Sequence, residues 1–267
     1  MTKTKEANNS EAKMSKDKKE GKKETNGELF RSLVFAIVLA VIFRSLAFEP
    51  FYIPSGSMKS TLLVGDYVFV SKYSYGYSRY SFPFGPNIFE GRVFEEKPKR
   101  GDVIVFKLPV NPSINYIKRL VGMPGDKLQV LNGKLYINGE KVKLERDGTF
   151  EDIDEKGNTV SIPQYIETLP NGVSYRVLDQ KQNGNLDDTK VYEVPEGHYF
   201  LMGDNRDNSS DSRVLHGVGY VPEENLVGPA NWIFFSASDS FWKFWNWPSS
   251  MRFSRFFSDI EYGGEKK

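Results

Sequence analysis

Two serines flank a glycine at Ser55-Gly56-Ser57, inside a segment stiffened by Pro50 and Pro54, and a lysine, Lys118, stands among apolar neighbours at positions 116–126. A third polar segment reads Gly203-Asp204-Asn205-Arg206-Asp207-Asn208-Ser209-Ser210-Asp211-Ser212-Arg213. A serine hydroxyl is a poor nucleophile until a base takes its proton. Two kinds of base are available: the Lys118 amine, or His216 working with an aspartate in a Ser-His-Asp arrangement. Each segment also has a plain structural reading. Ser-Gly-Ser suits a turn, Lys118 suits a solvated strand position, and the third segment suits a calcium loop except that Arg206 stands where a ligand belongs.

Other chemistries are excluded by composition. The chain has 267 residues and no cysteine, so disulfides, thiol catalysis and thiolate metal sites are ruled out. His198 and His216 are its two histidines and no HExxH helix exists, which argues against a zinc hydrolase; no metal and no organic cofactor is expected. A formal net charge of +1 gives no basic field for nucleic acid.

The elements that must position these groups follow from patterning. Residues 33–43, LVFAIVLAVIF, form an unbroken apolar run whose weaker flanks extend it to 29–48. That is about 20 residues, enough to cross ~30 Å of hydrocarbon. Arg31 and Arg44 lie near its ends, where they can snorkel. The following Arg44-Ser45-Leu46-Ala47-Phe48-Glu49-Pro50 makes a poor processing site, so the run reads as an uncleaved anchor rather than a signal peptide. The lysine-rich stretch before it reads as a disordered tail, and its charge places it in the cytoplasm with everything after Phe48 outside.

Beyond the anchor the chain is rich in Phe, Tyr, Val and Gly and reads as mainly antiparallel β. Gly65-Asp66 and Gly101-Asp102 each feed a strand, and residues 116–121 form another. Asn132-Gly133 between apolar runs favours the type I′ turn of a tight hairpin, with Asn138-Gly139 following. All four tryptophans lie in the aromatic C-terminal stretch, where contact of residues 241–247 with a membrane surface is expected.

Together, PSGSM at 54–58, GDYVFV at 65–70, YIKRLVGMPGD at 116–126, GDNRDNSSDSR at 203–213 and a closing Ser254-Arg255 resemble the type I signal peptidases, bacterial Ser-Lys proteases. Lys59-Ser60 after Met58 departs from the proline many members carry, and a single span stands where some relatives have two. The resemblance implies Ser57 as nucleophile and Lys118 as general base, with the Ser55 hydroxyl and the Ser57 N–H as the oxyanion hole. It implies Ser209 as a hydrogen-bond partner orienting Lys118, and Asp211 with Arg213 as a structural ion pair. Phe51, Ile53, Pro54, Met58, Leu62, Tyr116 and Ile117 would bind substrate, taking the small residues of an Ala-x-Ala site. The partners so implied are signal-peptide-bearing preproteins and membrane lipid, with no nucleic acid, and the protein acts as a monomer.

The resulting expectation is a mainly β protein: an antiparallel β-sheet catalytic core with an inserted peripheral β subdomain and one N-terminal transmembrane helix. The boundaries are a tail at 1–28, the anchor at 29–48, core at 49–125, insert at 126–197, core again at 198–235, and an aromatic, basic segment at 236–267. The location implied is the bacterial inner membrane, single-pass, with the catalytic domain periplasmic. A Ser-His-Asp protease using His216, or a non-catalytic membrane-tethered β protein, are the alternatives.

Overall fold

The computed structural model describes residues 26–87, 89–153, 157–181, 183–239 and 250–260. The lysine-rich tail up to residue 25 and the aromatic residues at 241–247 lie outside the described residues.

Helix α1 (Asn26–Leu46) has 21 residues, a mean hydropathy of 2.1 and apolar side chains exposed all round it. At 1.5 Å per residue it is about 31 Å long, the thickness of a hydrocarbon core. Glu28 in the first turn and Arg44 in the last complement the helix dipole. The helix ends two residues before the expected limit of the span, because Phe48 already belongs to a strand. Pro50 explains this: its ring disfavours the helical conformation at Glu49 and commits the chain to extended backbone.

From Arg44 onward the described residues form a second compact unit. Its main sheet uses β1 (Phe48–Tyr52), β2 (Asp66–Ser71), β3 (Val103–Leu108) and β4 (Asn111–Gly122). The chain then builds β5 (Lys127–Leu131), β6 (Lys134–Ile137), β7 (Glu140–Lys141), β8 (Lys143–Ile153), β9 (Thr159–Thr168), β10 (Ser174–Leu178) and β11 (Tyr192–Glu193). It returns with β12 (His198–Met202), β13 (Val221–Pro222), β14 (Leu226–Ser236) and β15 (Ser258–Asp259).

The main sheet runs β1-β2-β14-β3-β4-β12-β13, antiparallel throughout, with β15 paired to β14. Pro50 is tolerated in β1 because that strand is an edge. Strands β5 to β11 form two smaller sheets, β11-β5-β6-β7 and β10-β9-β8. Asn132 and Gly133 both have positive φ (49° and 72°), as do Asn138 and Gly139 (55° and 83°). Both pairs are therefore the two-residue turns of consecutive hairpins.

Strand β12 joins the two regions. Phe200 and Met202 face one apolar cluster with Leu128, Val130, Leu135, Ile137 and Val177, while Tyr199 and Leu201 face another with Ile104, Phe106 and Leu120. The period-two alternation of a strand buried on both faces makes this possible.

Candidate active site

Ser57 sits on the loop between β1 and β2. Hydrogen bonds from Gly65 N–H to Ile53 O (3.0 Å) and from Ile53 N–H to Asp66 O (2.9 Å) close the base of that loop. Inside it the Leu62 N–H reaches Met58 O at 2.8 Å, one isolated helical turn. That turn brings Met58 and Leu62 onto one face, and both are completely buried against Ile53, Val68, Val103 and Ile117. This corrects the sequence expectation: neither residue lines the groove. They anchor the turn that carries Ser57.

From the other side the loop after β12 grips the same turn. Asn205 N–H donates to Ser57 O at 3.1 Å, and Asn205 Nδ2 donates to Gly56 O at 3.0 Å. The approach is so close that a Cβ on Gly203 would lie 2.6 Å from Ser57 O and 2.1 Å from Ser209 Oγ. Only glycine fits there.

Lys118, on β4, brings Nζ to 2.7 Å from Ser57 Oγ and 2.9 Å from Ile117 O, with Nζ 5.2 Å from the centre of the Tyr116 ring. Ser57 and Lys118 are both buried, at 7% and 3% exposure. Burial pushes the Lys118 amine down to about 8, opposed by the negative charges of Asp211 and Asp204. Those carboxylates are held by arginines. Arg119 is bidentate to Asp204, with Nε to Oδ1 at 2.9 Å and Nη2 to Oδ2 at 2.7 Å. Arg213 does the same to Asp211, at 2.9 Å for both bonds. Burial alone would raise the Asp211 carboxyl, but Arg213 and the Gly203 N–H hold it below the ordinary range. Arg119, facing away from Lys118 on β4, also reaches Gly101 O at 2.8 Å and Thr61 Oγ1 at 3.2 Å, so it fastens the strand to the serine turn.

Ser209 departs from expectation. Its Oγ is buried against Gly203 and makes no hydrogen bond to Lys118 among the described residues, and the Ile117 carbonyl takes the contact with Lys118 instead. Ser55 is exposed, with Oγ 3.4 Å from Ser57 Oγ. His216 is exposed, and the His198 ring lies 2.9 Å from Glu196 O; neither borders the serine, so no Ser-His-Asp arrangement is assembled around Ser57.

A groove with a cavity volume of about 350 Å³ opens beside the pair. Of the residues expected to bind substrate, Phe51, Ile53, Pro54, Tyr116 and Ile117 line it. Tyr52, Val105, Ile114, Asn115, Asn208 and Ser210 line it too and were not anticipated. Asn208 and Ser210 flank Ser209 in an already conspicuous segment, and that adjacency was the available signal. Ile114 and Asn115 follow a proline in a polar stretch that reads as loop, yet they extend β4 at its N-terminal end.

The chain matches the family described as signal peptidase, peptidase S26, over residues 26–235. It is 43% identical over 251 residues to a signal peptidase I of Rickettsia typhi, covering 86% of this chain and 92% of the relative. A signal peptidase I of Rickettsia canadensis is 41% identical over 267 residues, covering 91% and 97%. A crystal structure of a signal peptidase I from Enterococcus faecalis is similar at 27% identity with a TM-score of 0.30, covering 50% of this chain and 97% of that one. A family match over most of the chain, with relatives above 40% identity across nearly their whole length, establishes that this chain belongs to the signal peptidases of the peptidase S26 family.

Proposed function

We propose that this protein is a membrane-bound serine endopeptidase that removes N-terminal signal peptides from exported preproteins, with Ser57 as nucleophile and Lys118 as general base. The observation that carries the reading is the 2.7 Å approach of the Lys118 amine to the Ser57 hydroxyl in a buried setting that lowers the amine to about 8. A lysine so lowered has a substantial neutral fraction near neutral pH, whereas a free lysine at ~10.4 has almost none.

In the reaction, neutral Lys118 takes the Ser57 proton as Oγ attacks the scissile carbonyl carbon. The carbonyl oxygen becomes an oxyanion, stabilised by the Ser57 N–H and the Ser55 hydroxyl. Collapse breaks the C–N bond, Lys118 returns the proton to the departing amine, and an ester to Ser57 remains. Water, deprotonated by Lys118, then hydrolyses that ester. No metal or organic cofactor enters. Asp211 and Arg213 act as scaffold, and Ser209 stands beside the site without a bond to the base.

The substrate reading rests on the groove. It is lined by Phe51, Ile53 and Pro54 on one side and Tyr116 and Ile117 on the other, and β12 pairs with β4 only from Arg119 to Gly122. The preceding segment of β4 can therefore accept an extended peptide along its edge. Shallow apolar walls suit the small residues of an Ala-x-Ala site.

Helix α1 supplies the anchor, with the tail cytoplasmic and the catalytic domain on the periplasmic side of a bacterial inner membrane. Lipid contact is also supported by the aromatic face of β1, β2 and β14. There Tyr52, Tyr73, Trp232 and Phe257 are all exposed, and Phe69 stacks on Phe234 at 4.2 Å. The test is cleavage of a preprotein by purified full-length protein. Ser57→Ala abolishes it, Ser55→Ala lowers kcat about 10²–10³-fold, and His216→Ala leaves it unchanged. Cleavage by Ser57→Ala, or its loss in His216→Ala, overturns the assignment.

A further inference from the structure

A second cavity, of about 100 Å³, lies where α1 gives way to the sheet, next to the groove, with which it shares Phe51 and Asn115. Its walls carry three cations, Arg44, Lys72 and Lys107, and one carboxylate, Glu49. Glu49 is fully engaged. It accepts from Arg44 Nε at 2.9 Å and stands 2.6 Å from Lys72 Nζ, while Lys72 also donates to Ser81 O at 2.7 Å. Among the described residues no carboxylate pairs with Lys107, whose half-buried amine faces this cavity. The cavity therefore presents three cations to one carboxylate; Arg44 is largely hydrated, but the half-buried Lys107 faces the cavity with no carboxylate in contact, an arrangement that an anion would complete.

The rim of the cavity says which kind of anion. The loop Phe82-Pro83-Phe84 forms its edge, and Phe84 is fully exposed, at 106%, with a left-handed φ of 63°. An unshielded phenylalanine on a strained loop tip is unfavourable in water and suited to acyl chains. A phosphate placed among Arg44, Lys72 and Lys107 would hold its glycerol and acyl chains toward that apolar tip.

We propose that this cavity binds the phosphate of an anionic phospholipid headgroup and so fixes the catalytic groove against the membrane surface. The inference rests on reading α1 as a membrane span. Burial lowers the Lys107 amine, with Glu49 opposing and Lys72 and Arg44 adding to the shift, and a bound phosphate would reverse it.

The test is native mass spectrometry of the full chain from neutral detergent micelles containing phosphatidylglycerol and phosphatidylcholine. The wild type retains phosphatidylglycerol preferentially. Lys107→Gln weakens that preference about fivefold, the worth of one lysine at an anionic surface; Lys107→Arg keeps it, and Lys141→Gln, on the exposed β7, leaves it unchanged. Ser57→Ala retains lipid like the wild type, so loss of cleavage and loss of lipid are read separately. Equal retention of both lipids, an undiminished preference in Lys107→Gln, or an equal loss in Lys141→Gln overturns the proposal. Displacement of phosphatidylglycerol by an equal concentration of inorganic phosphate also overturns it, assigning the cavity to the free ion.

Discussion

Lys118 beside Ser57 and Lys72 beside the end of α1 are equally buried, at 3% exposure each, yet their surroundings differ in one respect. Lys72 touches a carboxylate, Glu49, at 2.6 Å. Lys118 touches a hydroxyl and a carbonyl, and the two carboxylates whose charge reaches it, Asp204 and Asp211, are each occupied by an arginine. Burial lowers both amines. A carboxylate in contact opposes the shift at Lys72, whereas Arg119 and Arg213 keep Asp204 and Asp211 away from Lys118 and leave it able to go neutral. A buried lysine becomes a base when its neighbours' negative charge is already spoken for.

The largest effect that tests this contrast is Lys118→Met. Catalysis falls about 10⁴-fold, the upper range for a lost general base. At the same time the protein becomes more stable at pH 7. The folded-state amine is lowered from 10.5 to about 8, so below pH 8 the fold bears the cost of a charge that the unfolded chain does not. The gain is at most about 3 kcal/mol, is present at pH 7, and fades as pH rises toward 10. For the wild type, kcat/KM rises with pH to a plateau above about 8. Thermal unfolding at two pH values with a pH–rate profile checks all of this; a variant that is inactive and also less stable at pH 7 would break the contrast.

Glu49→Gln probes the other lysine. It leaves Lys72 buried with a neutral partner and costs about 3 kcal/mol of stability, as breaking a buried pair does. Arg44, largely exposed, is hydrated and suffers less. Adding Lys72→Met to Glu49→Gln recovers part of the loss, measurable as a partial return of the melting temperature. A neutral Glu49→Gln would show that the contact with Glu49 does not set the state of Lys72.

Much of this arrangement can be read before any coordinates. Asn-Gly pairs declare their turns because only such residues accept two successive positive φ values, and the apolar run declares α1 by length alone. Lys118 is singled out by the resemblance that YIKRLVGMPGD at 116–126 carries, whereas its residues alone equally suit a solvated strand position. What resists reading is decided by partners distant in sequence. Met58 and Leu62 look like groove residues beside Ser57, but a single helical turn rotates both into the core. Ile114 and Asn115 belong to a polar stretch and become groove wall only because β4 runs on past Tyr116, where Asn115 pairs with Lys107 of β3. Ser209 lies in the most conspicuous motif of the chain, and its hydroxyl direction depends on how tightly Gly203 packs against it.

A third region crowds three carboxylates together, with Arg206 only partly offsetting their charge, and gives the smallest effect. The carboxylates of Asp179, Asp187 and Asp207 lie within 4.8 Å of one another. Asp207 accepts the N–H groups of Gln180 and Lys181 at 2.7 and 2.8 Å, and Asp187 accepts that of Gly184 at 2.6 Å. Asp179 is left to absorb the conflict: burial, then the charges of Asp207 and Asp187, push its carboxyl up to about 6. Because the folded-state value is raised, the fold holds this proton more tightly than the unfolded chain, and stability falls as pH rises from about 4 through 6. Above that window the repulsion is fully present. Asp179→Asn therefore gives a small rise in melting temperature at pH 7.5 that vanishes near pH 4, where the native side chain is itself protonated. A rise of equal size at both pH values would mean that packing, not charge, separates aspartate from asparagine there, and that these crowded carboxylates cost the fold nothing.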